Sequence, residues 1–137
     1  MTDLLNILLV EDDEVDVMNV RRAFDKNHIM NPLFVAGDGI EALEKLRNGE
    51  VPKDRRLVLL DLNMPRMNGI EFLRELRNDS ELHATSVVVL TTSADDRDKV
   101  DAYNLNVAGY LVKPVTFVNF CDLMATLNKY WTLVELP

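Results

Sequence analysis

Residues 57–65 read LVLLDLNMP: four apolar residues run straight into an aspartate, and a proline follows four positions later. A short apolar run closed by a turn signal reads as a buried strand. Charge is costly inside a core, so an aspartate at the end of such a strand needs a reason. Either Asp61 caps the next turn, a role aspartate often fills, or it stands at the mouth of a site. The flanking segments decide between the two.

Outward from this strand the pattern alternates. The run LLNILLV (4–10) predicts a strand, and Val17, Val20 and Phe24 then recur at helical spacing over about 15–27. PLFVA (32–36) predicts a second strand. Asp38 and Gly39 open a helix carrying Leu43 and Leu46, which Gly49 ends. Beyond the opening strand, Ile70, Leu73 and Leu76 mark a helix over about 68–77. SVVVLT (86–91) is a strand, about 95–103 a helix, and GYLV (109–112) a strand. A last helix over about 116–131 carries Phe117, Phe120, Cys121, Met124, Leu127 and Trp131. Strands alternating with helices predict a parallel sheet with helices on both faces. Apolar strands of this kind are buried on both sides. The expected fold is α/β: a flavodoxin-like (βα)5 doubly wound parallel sheet, strand order 2-1-3-4-5. The charged stretch 47–56 is a loop within one domain spanning 1–137, closed by a short apolar tail at about 132–137.

Composition narrows the function. The chain has 137 residues, 47% hydrophobic and 28% charged, with a formal net charge of -8. An acidic surface disfavours direct binding to nucleic acid or anionic lipid. The single cysteine, Cys121, allows no internal disulfide and falls in an apolar helical stripe, as a packed thiol would. No apolar run approaches the ~20 residues needed to span a bilayer, and no signal peptide opens the chain. The expected location is cytoplasmic.

In an open parallel sheet, ligands bind beyond the carboxyl ends of the strands, where the strand order reverses. Strand 1 ends in Glu11, Asp12 and Asp13; strand 3 in Asp61; strand 4 in Thr91, Thr92 and Ser93; strand 5 in Lys113 and Pro114. Glu11, Asp12 and Asp61 therefore converge. Crowded carboxylates repel one another unless a cation intervenes, and oxygen ligands without His or Cys suit Mg²⁺. Lys113 brings an ammonium to Asp61 and Thr91 a hydroxyl. Asp13 is left to cap the first helix. His28 and His83 lie away from these strand ends and are expected at the surface.

The stretches ILLVEDD, LLDLNMPRMNG, VVVLTTS and GYLVKP resemble the receiver domain of two-component response regulators. The resemblance implies that Asp61 accepts a phosphoryl group from a sensor histidine kinase, so that it is a nucleophile rather than a turn cap. It implies that Mg²⁺ is held by Asp12 directly, by Glu11 through water, by Asp61 and by the carbonyl of Asn63. Lys113 and Thr91 would contact the phosphoryl group. Thr91 and Tyr110 would form the switch pair, and Asn63 and Ser93 would tune phosphoryl lifetime. It also implies a cis Lys113–Pro114 bond and a tight loop at Gly69. Thr92 departs from the family's pattern, where a smaller residue is usual, and should narrow access to Asp61.

The long loop before strand 3 and the tail ending in Leu136 and Pro137 are similar to the small response regulators of cyanobacterial phytochrome histidine kinases. That likeness implies a homodimer, expected through the helix 4–strand 5–helix 5 face, with Trp131, Leu133, Val134 and Leu136 contributing. With no effector segment in the sequence, the output would be a changed surface. A haloacid-dehalogenase-type phosphohydrolase would need a second aspartate where Asn63 stands. A flavin carrier would need a phosphate-binding loop where 11–16 read EDDEVD. A pseudo-receiver would have lost an acid, the aspartate or the lysine.

Overall fold

A computed structural model describes residues 4–136. The elements follow in the order β1 (Asn6–Val10), α1 (Glu14–Lys26), β2 (Leu33–Ala36), α2 (Gly39–Arg47), β3 (Arg56–Leu60), α3 (Gly69–Asn78), β4 (Ser86–Thr91), α4 (Asp96–Asn104), β5 (Gly109–Val112) and α5 (Phe117–Leu133). All strand pairs are parallel, in the order β2-β1-β3-β4-β5. This is the expected flavodoxin-like topology.

β3 is the central strand, and each of its residues is buried. The two-residue period of a strand sends its side chains to alternate faces. Leu57 and Leu59 join Ile7, Leu9, Val88 and Leu90 in a core under α1 and α5. Val58 and Leu60 join Leu8, Val10, Val87 and Val89 in a second core with α2, α3 and α4. The continuous apolar run of β3 is thus two alternating faces, both covered.

The helix boundaries follow from local chemistry. Asp13 caps α1, accepting from the N–H groups of Val15 and Asp16. Asn68 and Glu71 form a capping box on α3. Beyond α2, Gly49 adopts φ 82, the left-handed conformation glycine takes at no steric cost.

α5 departs from expectation by running on to Leu133, two residues past Trp131. Trp131 is only 2% exposed and packs against Phe24, with ring centroids 6.0 Å apart. Val134 and Leu136 pack against the same core. Of the four apolar residues expected to serve an interface, Trp131 is buried in its own domain, Val134 and Leu136 are partly buried against it, and Leu133 is exposed. The physical reason is that packing these side chains onto the cluster that holds Phe24 removes apolar surface from water. Pro137, the end of the expected tail, lies outside the described residues. Among the described residues, no helix is long and apolar enough to cross a membrane.

Candidate functional site

The backbone places the site before any side chain does. Each strand of the site carries its pairing one residue further: Glu11 N–H donates to Ala36 O at 2.9 Å, Asp61 N–H to Val10 O at 3.0 Å, and Lys113 N–H to Thr91 O at 2.8 Å. Glu11 and Asp61 are thereby pinned on neighbouring strands, with Lys113 across β4 from Asp61, all at the carboxyl end of the sheet. α3 then closes over Asp61. A Cβ on Gly69 would lie 2.7 Å from both Asp61 O and Leu62 Cα. Glycine is required here by close approach, not by an unusual φ.

Glu11 and Asp61 are buried, at 2% and 6% exposure, whereas Asp12 is exposed. One carboxylate oxygen from each lies within 4.8 Å of the others. This oxygen-only donor set fits a hard divalent cation. Asp61 Oδ1 accepts from Thr91 Oγ1 at 2.7 Å and from Asn63 N–H at 3.3 Å. Asp61 Oδ2 instead faces Lys113 Nζ at 3.7 Å. The two oxygens of Asp61 are therefore inequivalent.

Lys113 Nζ donates to Glu11 Oε1 and, at 3.0 Å, to Asp16 Oδ2. Burial pushes the Glu11 carboxyl well above the usual carboxylate range, and the charge of Asp61 pushes the same way; Lys113 offsets only part of this. Burial works against the Lys113 ammonium too. The surrounding carboxylates outweigh it and hold Lys113 above the ordinary lysine range, so the ammonium stays charged. The Lys113–Pro114 bond is trans, contrary to the cis expectation, for no peptide bond among the described residues is cis. Lys113 reaches the acids regardless, because its backbone is fixed by Thr91 and its stem is long.

The residues beyond Thr91 form a second layer. Ser93 N–H donates to Thr91 Oγ1 at 3.3 Å, and Ser93 Oγ donates to Asp98 Oδ2 on α4 at 2.7 Å. Tyr110 is half-buried and donates its hydroxyl to Ser93 O at 2.8 Å. Burial raises the Tyr110 phenol above its usual range. Thr92 and Asn63 are exposed, as are His28 and His83, both away from the site.

Every residue expected at the site thus lies at one end of the sheet or within one hydrogen bond of it. The sequence reading missed Asp16 as a partner of Lys113, since an acid in the first turn of a helix is ordinary. It also missed Arg66, which stands at φ 60 and bonds the buried Asp38 at the start of α2.

The family model described as "Response regulator receiver domain" matches residues 7–125. The chain is 38% identical to the probable methanogenesis regulatory protein FilR2 of Methanothrix harundinacea, over 91% of this chain and 82% of that one. It is 35% identical to the response regulator Rcp1 of Synechocystis, over 96% of this chain and 92% of that one. The solved Mn(2+)-bound form of Rcp1 superposes with a TM-score of 0.84, covering 97% of this chain and 99% of that one, at 34% identity. The phosphorylated cyanobacterial phytochrome response regulator RcpA gives a TM-score of 0.87, covering 98% and 99%, at 32% identity.

Proposed function

The chain belongs to the response regulator receiver family, and on that premise we propose that it takes a phosphoryl group onto Asp61 from a sensor histidine kinase. The attacking carboxylate oxygen forms a P–O bond as the P–N bond to the kinase histidine breaks, and the imidazole, carrying a proton on its other ring nitrogen, leaves as the neutral base. The observation that carries this reading is the convergence of Glu11, Asp12 and Asp61 beside a buried, charged Lys113. Such a group is under mutual repulsion without a cation and suits charge-neutralised phosphoryl transfer. A bound Mg²⁺ would supply that neutralisation, held by Glu11, Asp12, Asp61 and the Asn63 carbonyl. The divalent site of the Mn(2+)-bound relative supports a metal here. Lys113 meets charge on the phosphoryl oxygens. Thr91 already reaches Asp61 and is placed to hand its hydroxyl to a phosphoryl oxygen instead.

That exchange is the proposed signal. Thr91 and Tyr110 both act on Ser93, so a shift of Thr91 changes what holds Tyr110 and α4. Phosphorylation biases the equilibrium only through contacts that differ between the two states, and these contacts qualify. Asn63 and Ser93 flank the acceptor and tune the lifetime of its phosphoryl group. The domain acts as one receiver unit, and its output is a changed surface on α4, β5 and α5, where Val100, Tyr103, Val112 and Val118 are exposed. A homodimer through this face, with Leu133 as the tail's contribution, is the proposed assembly. The phytochrome response regulators among its relatives support a phytochrome-type kinase as the donor.

The test is labelling by a phosphorylated kinase or an acyl phosphate donor, with and without Mg²⁺. A base-labile label that needs Mg²⁺ and is lost in Asp61→Asn is the expected result. Full labelling of Asp61→Asn would overturn the assignment.

A further inference from the structure

Lys113 is met by one carboxylate more than phosphoryl transfer calls for. Asp16 lies in the first turn of α1, and its Oδ2 accepts from Lys113 Nζ at 3.0 Å. The same ammonium bonds Glu11 Oε1 and stands 3.7 Å from Asp61 Oδ2, too far for a hydrogen bond. An ammonium has three N–H donors. One of them is spent on Glu11 beside the acceptor and a second on Asp16 in α1, and neither reaches Asp61. The Lys113 side chain is 9% exposed and that of Asp16 35%, so the ammonium is enclosed while its outer partner still touches water.

We propose that Asp16 is a positioning residue that tethers the Lys113 ammonium in the resting protein and so limits how readily Asp61 gains a phosphoryl group. The inference rests on reading Asp61 as the phosphoacceptor. Two effects act in the same direction. Asp16 holds the ammonium back from Asp61 Oδ2, which it faces at 3.7 Å, and its own negative charge opposes a second anion at the site. Drawing Lys113 onto the phosphoryl group with its third N–H lengthens the bond to Asp16. The partial exposure of Asp16 makes this a modest restraint, as a reversible switch requires.

Removing the tether should therefore strengthen binding of a phosphoryl mimic. With Mg²⁺ present, Asp16→Asn should tighten beryllofluoride binding by about threefold to fivefold, the upper part of the range for a partly exposed ion pair. Asp16→Glu should bind like the parent. In a Lys113→Met background the gain from Asp16→Asn should fall below about twofold, the remainder due to charge alone. An equal gain in both backgrounds would reduce Asp16 to a fixed surface charge, and weaker binding in Asp16→Asn would reverse its role; either overturns the tether. A residue serving only the dipole of α1 would show no coupling to Lys113.

A second readout needs neither metal nor phosphoryl group. In the metal-free protein, Asp16→Asn should shift the side-chain ammonium resonance of Lys113, and Asp16→Glu should leave it near its parent position. An unchanged resonance in Asp16→Asn overturns the inference on its own. If instead Asp61 is not the acceptor, the parent protein shows neither labelling nor beryllofluoride binding, while the resonance still decides whether the tether exists.

Discussion

The two ends of the sheet both enclose charge, and they treat it in opposite ways. At the amino ends of the strands, two guanidinium groups are matched to backbone oxygens. Arg77 donates to Leu105 O at 2.7 Å, His83 O at 2.8 Å, Thr85 O at 2.7 Å and Asn106 O at 3.1 Å. Arg56, 8% exposed, reaches Leu46 O at 3.3 Å and Val51 O at 3.5 Å. Burial lowers both guanidinium groups, and arginine stays charged in proteins. At the carboxyl ends, the carboxylates of Glu11, Asp12 and Asp61 face one another, and one lysine, Lys113, serves Glu11, Asp16 and Asp61. The first arrangement is complete in itself. The second leaves like charges crowded together and only partly offset. Binding sites are built from interactions left unfinished within the chain.

Breaking the satisfied end should have the larger effect on stability. Arg77→Ala removes a charged donor that ties α3 to the loops before β4 and β5, leaving carbonyls from both loops without it. The expected cost is about 3 kcal/mol in urea unfolding at pH 7. A cost below about 1 kcal/mol would mean that water replaces the guanidinium freely, and the contrast between the ends would fail.

Gly69→Ala tests the packing that closes the other end. Its Cβ meets backbone atoms of Asp61 and Leu62 rather than a flexible side chain, so the loop itself must move. The expected cost is about 2 kcal/mol, together with slower labelling of Asp61. Parent-like stability and labelling would show that the loop yields easily.

Asp12→Ala should act with the opposite sign. Taking one charge from the acidic group should raise stability by about 0.5 kcal/mol in chelator-treated protein. It should also weaken Mg²⁺ binding strongly, so the gain reverses when Mg²⁺ is added. Thermal unfolding with chelator and with Mg²⁺ reads both. A loss of stability in chelator would show that repulsion does not govern this end.

Asp38 gives the smallest effect and sharpens the comparison, because it is an acid near the site that is satisfied like the arginines. Burial pushes its carboxyl up, but the Glu41 N–H and Arg66 outweigh this and hold it below the usual carboxylate range. A depressed folded-state pKa stabilises the fold above the ordinary aspartate value and loses that contribution as pH falls through the lower folded value. Asp38→Asn keeps the α2 cap and loses the charge, so it should cost about 0.3 kcal/mol at pH 7. The difference from the parent should shrink below about pH 4, the ordinary aspartate range. A difference independent of pH would assign the cost to packing.

Much of the site was legible along the chain because strands expose their carboxyl ends together. Asp61 could be placed from LVLLDLNMP, and Glu11, Thr91 and Lys113 from the ends of their own strands, once the alternation fixed a parallel sheet. Arg77 was silent: its partners lie on loops up to 29 residues away, and an arginine at the end of a helix is ordinary. Asp16 was silent for a similar reason, since its link to Lys113 spans 97 residues.

Hydrophobic periodicity, a local property, determined by itself the order of elements, the two-faced burial of β3 and the edge at which the acids gather. Tertiary structure alone decided which carboxylates share Lys113, that Gly69 is required by contact, and that Trp131, Val134 and Leu136 fold back on the core. Those outcomes depend on distances between segments far apart in the chain. Such distances are set by how whole layers pack, and no local pattern encodes them.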